Sequence, residues 1–286
     1  YLEAMDKYGS DKPDLRIDLT LTDATQVLGG CGFGPFEGNT VKAIVVTGFE
    51  HPAVYRTLEL LAARGWEIRA VPPDAEGHID ETAFLDAVDK QTGVVAFMFV
   101  NNEIGTLQPL EELGAVCRER GVPFHTDAVQ AVGHLPIHVG ELQVDLLSLS
   151  AHKFHGPKGV GALYARKGIP LESVIYGGAQ ERGRRAGTEN LPAILGMAAA
   201  LEESCAHMEE RARTLTLLRE RLIDGLSQIP HAVLNGDRAR RLPGNVSFCF
   251  EGIEGESLLL LLDDRGIRAS SGSACTSGSL DPSHVL

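Results

Sequence analysis

The sequence predicts an α/β protein with a mostly parallel sheet, followed by a smaller α+β region. Three features predict it: short apolar runs that each lead into a helical pattern, runs with no polar alternation, and a change of pattern after Asn190. A continuously apolar strand is covered on both faces, the condition of a parallel sheet flanked by helices. Val41 to Thr47 is the first such strand. Pro52 to Arg64 is the helix after it, with proline in the first turn, where it loses no hydrogen bond. Glu67 to Val71 is a second strand, and Asp80 to Asp89 a helix capped by its aspartate. Val94 to Val100 is a strand buried on both faces, and Pro109 to Arg120 a helix stopped by Gly121. Val122 to Thr126, Val144 to Leu149 and Val160 to Ala165 complete the strand–helix alternation. Beyond Asn190 come a long helical stretch from Leu191 to Leu226, a strand Asn245 to Phe250, a helix Gly255 to Asp264 and a short strand Ile267 to Ser270. The expected division is an atypical segment 1–46, a large domain 47–209 and a small domain 210–286, hinged around 205–215.

Composition narrows the function classes. The 286 residues are 43% hydrophobic and 23% charged, an ordinary globular balance that excludes disorder and coiled coil. A net charge of −13 repels phosphate backbones, so no nucleic-acid partner is expected. No apolar run reaches membrane-span length, and the first residues have neither the basic start nor the apolar core of a signal peptide. The five cysteines, at 31, 117, 205, 249 and 275, are odd in number and contain no C-x-x-C. That argues against a disulfide framework or structural zinc and for a cytoplasmic setting. Gly32 and Gly34 have the spacing of a dinucleotide fingerprint, but the rest of it is missing and no helix follows.

Chemistry concentrates where strands end, which is where open α/β sheets hold ligands. Ser148 to Gly159 takes a buried strand through Ser150, His152 and Lys153 into a Gly/Pro turn. From position alone Lys153 fits either a Schiff-base lysine or a surface lysine at a loop entry; Lys158 fits the second. Asp127 ends another apolar strand. A strand-end aspartate is ordinarily a turn residue, but a candidate Schiff-base lysine 26 residues on shifts the reading. Asp127 then becomes the acid that keeps the pyridine nitrogen of pyridoxal phosphate protonated. His51 follows Glu50 at a strand-to-helix junction, placed to stack on a ring, and Asn101-Asn102 adds amides at a further strand end. Cys275 lies in a loop of Ser, Gly, Ala and Thr with almost nothing to pack against, so reactivity is the better reading. Cys249, between Phe248 and Phe250, reads instead as a packed cysteine.

Six motifs in order carry a resemblance: Glu50-His51-Pro52-Ala53-Val54, Val100 to Gly105, His125 to Gln130, Ser150-Ala151-His152-Lys153, Arg184 to Asn190, and Ser271 to Cys275. From about residue 47 to 286 the chain resembles cysteine desulfurases of the NifS/IscS type, in the class-V aminotransferase family with the type I pyridoxal-phosphate fold. The resemblance implies pyridoxal 5'-phosphate as cofactor, with Lys153 as its Schiff base, Asp127 on the pyridine nitrogen and His51 stacked on the ring. It implies Asn102 and Gln130 near the phenolate oxygen or substrate, Ser150 and His152 on the phosphate, and Thr188 on the phosphate of a neighbouring subunit, hence a homodimer. Cys275 would take sulfur from L-cysteine as a persulfide, leaving L-alanine, and pass it to acceptor proteins such as an iron–sulfur scaffold. Another class-V enzyme, such as a selenocysteine lyase, is the enzymatic alternative, and a fragment that folds without catalysis the other. Residues 1–46, with Tyr8 to Arg16, resemble instead an internal piece of a bacterial aspartyl-tRNA synthetase. They stand where the family has a phosphate-gripping Gly-Ala-Thr turn, with Asp23-Ala24-Thr25 near that place. The family's substrate-carboxylate arginine falls beyond Leu286.

Overall fold

A computed structural model describes residues 42–272 and 283–285. Strand β1 (Ala43–Thr47) is buried at every position. Its alternating side chains feed two layers: Val45 joins the main core, while Ile44 and Val46 face Leu58 and its neighbours on the other side. Helix α1 (Pro52–Ala63) supplies Leu58 and leads to the edge strand β2 (Glu67–Val71), parallel to β1. Helix α2 (Glu81–Ala87) begins at Asp80, whose side chain accepts from the amides of Thr82 and Ala83, the cap expected from sequence.

Strand β3 (Thr92–Met98) pairs with β1, and helix α3 (Leu110–Arg120) ends at Gly121, whose φ of 68° supplies the left-handed stop. Strands β4 (Phe124–Asp127) and β5 (Leu146–Ser150) continue the parallel set, and β6 (Gly161–Ala165) closes it antiparallel. The order is β2-β1-β3-β4-β5-β6, the mostly parallel α/β sheet that the sequence predicts. Phe97 and Phe124 are fully buried within it.

Three expectations past Asn190 are corrected. The stretch 191–226 is two helices, α4 (Leu191–Ala206) and α5 (Met208–Leu226), broken at His207. No glycine or proline marks that break, so periodicity alone reads through it. The next sheet has only two antiparallel strands, β7 (Ala232–Leu234) and β8 (Phe248–Phe250). β8 starts later than Asn245 because the Asn245 amide is taken up in a turn, donating to the Leu242 carbonyl (3.1 Å), while its side chain donates to the Glu103 carbonyl (3.1 Å). Helix α6 (Gly255–Asp263) follows, and 267–270 forms no strand. There the Ile267 amide turns back to the Leu262 carbonyl (2.9 Å), closing the helix end around Gly266. Among the described residues no helix is long and apolar enough to cross a membrane.

Candidate active site

Because β1, β3, β4 and β5 run parallel, their C-terminal ends open on one edge of the sheet. Asp127 is the last residue of β4, in register with Met98 on one side and Ser148 on the other. Its Oδ1 accepts from the Val129 amide (3.0 Å), which pins the half-buried carboxylate at the strand end. Gln130, also half-buried, follows in the same turn. One pleat back, His125 Nε2 lies 2.8 Å from Ser148 Oγ. Burial pushes this imidazole below its ordinary pKa, with Asp127 opposing the shift, so His125 is neutral at neutral pH.

The β1 end holds a group that sequence reading passed over. Glu50 is 1% exposed, and its Oε1 accepts from Thr47 Oγ1 and from the Met98 amide, both at 2.7 Å. Burial raises its pKa to about 8, against those two hydrogen bonds and helped by Asp127. Glu50 therefore staples the end of β1 to β3 as a carboxylic acid at neutral pH, next to Asp127. The one available signal was a charged residue closing an apolar strand. Beside it, His51 Nδ1 accepts from the Ala53 amide (3.1 Å), capping α1. With Nδ1 accepting, the ring carries its proton on Nε2. Capping and ring-stacking are thus compatible roles, since the cap fixes the ring without using its face.

The two asparagines divide their labour. Asn101 is buried and structural: its Nδ2 donates to the Phe49 carbonyl (3.1 Å), and its Oδ1 accepts from the Glu103 and Ile104 amides (2.8 and 3.0 Å). This clasp joins the β1 and β3 turns and leaves Asn102 half-buried beside it.

At the β5 end, Ser150 Oγ and His152 Nδ1 lie 2.8 Å apart, and a short 3-10 turn (Ala151–Phe154) carries Lys153. Fully buried Phe154 anchors the turn, and His134 Nε2 donates to the Lys153 carbonyl (2.9 Å). Lys153 is half-buried and His152 exposed, whereas Lys158 is exposed on the Gly/Pro turn beyond. His51, Asn102, Asp127, Gln130, Ser150, His152 and Lys153 thus share one edge. Thr188 stands apart from them in sequence, exposed on the segment leading into α4. A cleft of about 580 Å³ between the Lys153 turn and α4–α5, lined by His134, His155 and His207, contains none of the predicted residues.

Cys275 and Asp23-Ala24-Thr25 lie outside the described residues. The chain on either side of Cys275 is described: one end passes Glu103 and the other bonds the β1 end. A Cβ on Gly272 would stand 3.7 Å from Glu103 Oε2, next to Asn102. His284 Nε2 donates to the Glu50 carbonyl (3.1 Å) and its ring meets Tyr55 edge-on at 5.2 Å. Cys249 is corrected: it is exposed, because Phe248 and Phe250 stack on one face of β8 and the residue between them points to the other. Among the described residues the packed cysteine is Cys117, whose thiol burial pushes up to about 12.

The aminotransferase class-V family matches residues 36–285, beginning eleven residues ahead of 47. Cysteine desulfurase IscS of Methanosarcina thermophila is 53% identical over 245 residues, covering 86% of this chain and 61% of its own length. Cysteine desulfurase NifS of Azotobacter vinelandii is 44% identical over 268 residues, 93% of this chain and 66% of its own length. That alignment necessarily enters the first 46 residues. The chain spans about three fifths to two thirds of these relatives. Among solved structures, a NifS-like protein superposes with a TM-score of 0.79 at 38% identity, covering 86% of this chain and 67% of that one. DndA from Streptomyces lividans superposes at 0.75 with 33% identity, covering 91% of this chain and 74% of that one. The fold is the one these proteins share, the type I pyridoxal-phosphate fold. With the match running from residue 36 to 285 on that fold, the chain belongs to the aminotransferase class-V family.

Proposed function

We propose that this chain acts as a pyridoxal-phosphate-dependent cysteine desulfurase. L-cysteine and the Cys275 thiol yield L-alanine and a Cys275 persulfide; the sulfur atom leaves the carbon of cysteine and joins the thiol, so atoms and electrons balance. One observation carries the reading. Four parallel strand ends bring a lysine with a hydroxyl–imidazole pair, a pinned carboxylate, a capped imidazole and an amide to one edge, and His284, on the chain flanking Cys275, bonds the β1 end.

The donor set fits pyridoxal phosphate. When bound, this cofactor supplies a carbonyl that joins amines and a ring that withdraws electrons from the joined carbon. Lys153 supplies the amine. Asp127, held by the Val129 amide, keeps a proton on the pyridine nitrogen. His51, its Nδ1 occupied by the α1 cap, offers a fixed ring to stack and an Nε2 proton to give. Ser150 and His152 offer donors to the phosphate, and Asn102 and Gln130 orient the phenolate oxygen or the substrate. Cys275 attacks as its thiolate.

Thr188, exposed beside Leu191 and Leu195 (63% and 69% exposed), suits a contact with a second subunit, and we assign the working unit as a homodimer. An iron–sulfur scaffold or another thiol protein would accept the sulfur in the cytoplasm. Residues 47–209 would form the large domain, 210–286 the small one, and 1–46 the segment that leads into them. The relatives reported above favour this reading over a selenocysteine lyase.

The test is mass spectrometry of the chain after L-cysteine and pyridoxal phosphate are added. The parent should carry a persulfide on Cys275 and release alanine. Cys275→Ser should keep the bound cofactor's visible band but carry no persulfide. A Cys275→Ser protein that still gives alanine and sulfide at the parental rate would overturn the assignment.

A further inference from the structure

Past Asn102 a loop, 103–108, leaves the sheet edge, and the segment 235–245 between β7 and β8 folds across it. Leu107 N donates to the Arg240 carbonyl (3.0 Å) and Leu242 N to the Gly105 carbonyl (2.9 Å). At the centre is Arg241, 3% exposed and absent from the chemistry above. Its Nη2 donates to the Ile104 carbonyl (2.9 Å) and to that of Asn235, and its Nε to the Asp237 carbonyl (2.8 Å). These acceptors are main-chain oxygens, so the guanidinium works as a planar fork that fixes backbone, not as a salt-bridge partner. The approach is close: a Cβ on Gly236 would stand 2.9 Å from the Ile104 carbonyl.

Glu76, His78 and Asp237 bring ligand atoms within 4.8 Å of one another beside this segment. Asp237 is already engaged, however. Its Oδ1 accepts from the Ala239 and Arg240 amides (2.6 and 2.9 Å), and its Oδ2 from His78 Nε2 (2.7 Å) and Arg240 Nε (3.3 Å). Four donors occupy the lone pairs a cation would need. The cluster is a second anchor for the same segment, tying it to the loop before α2.

We propose that Arg241 is a positioning residue for the reaction at the sheet edge: by gripping the Ile104 carbonyl it fixes the 103–107 loop and, through it, Asn102. The inference rests on the reading of Asn102 as a contact to cofactor or substrate. Arg241 touches no reacting group. Lysine keeps the charge but has a single nitrogen on a flexible stem, so it cannot reproduce the bonds that Nε and Nη2 make to three carbonyls.

The experiment compares the parent chain, Arg241→Lys and Arg241→Met, with melting curves to establish folding. Without cofactor, amide hydrogen exchange over 101–107 should accelerate about ten-fold in both variants, while β3 keeps its protection. With pyridoxal phosphate bound, the pH dependence of the visible band should shift in Arg241→Lys, since Asn102 would no longer stand by the phenolate oxygen. If Arg241→Met does not fold, Arg241→Lys carries both arms. Exchange in Arg241→Lys within about a factor of two of the parent overturns the brace. Faster exchange with an unmoved band overturns the link to Asn102. A parent with no visible band overturns the reading of the site itself, and the exchange arm separates that failure from a failure of the brace.

Discussion

Strand β1 is buried at all of its residues, whereas β7 and β8 have no fully buried residue between them. The first stands between two apolar layers; the second is a two-stranded sheet with Val233 60% exposed. The difference separates two ways of holding a functional edge. On the sheet side, side chains such as Asp127 and Lys153 are placed by strands and turns anchored in apolar packing. On the far side, the 235–245 segment grips the Asn102 loop through hydrogen bonds, with Arg241 at their centre. Packing is insensitive to the exact orientation of donors, and the polar brace is not.

The largest expected effect is in the packed half. Phe97→Ala, at a fully buried position of β3, should destabilise by about 3–5 kcal/mol, read from the urea midpoint. A loss below about 1 kcal/mol would mean that the β3 core does not support the site.

Per pH unit, Glu50 gives a smaller effect, one that depends on pH. Its pKa is raised in the folded chain from 4.5 to about 8, so between these values the native state holds a proton that the unfolded chain has released. The stability this contributes is full below pH 4.5 and is lost as pH rises through about 8. For one proton the slope is at most about 1.4 kcal/mol per pH unit. Glu50→Gln keeps an oxygen acceptor for Thr47 and the Met98 amide but releases no proton. Urea midpoints measured from pH 5 to pH 8 should therefore fall less steeply in the variant; equal slopes would contradict the buried acid. The smallest effect belongs to the open sheet: Val233→Ala should change stability by no more than about 0.5 kcal/mol.

The same contrast explains what could be read from the sequence. Val94 to Val100 announces a buried strand because both its faces meet apolar layers, and β3 lies within it but for a shift of two residues. Asp80 and Gly121 announce their helix ends because capping is local chemistry. Cys249 misled because two flanking phenylalanines look like a core when their stacked face is the only covered one. Ile267 to Ser270 misled because a strand needs a partner, and pairing is not encoded in four residues. In the site, the strand-end positions of Lys153, Asp127 and His51 were legible. Glu50, Asn101 and Arg241 were not, because their roles come from contacts with residues 48, 52 and 137 positions away in sequence.

The proposed function turns on Lys153, and not the lysine five residues later, as the amine that takes up pyridoxal phosphate at this edge. The direct measurement is the absorbance of the chain mixed with the cofactor and dialysed. A band near about 400–420 nm is expected in the parent and in Lys158→Ala, and its loss in Lys153→Ala. A band that survives Lys153→Ala and disappears with Lys158→Ala would overturn the assignment of Lys153.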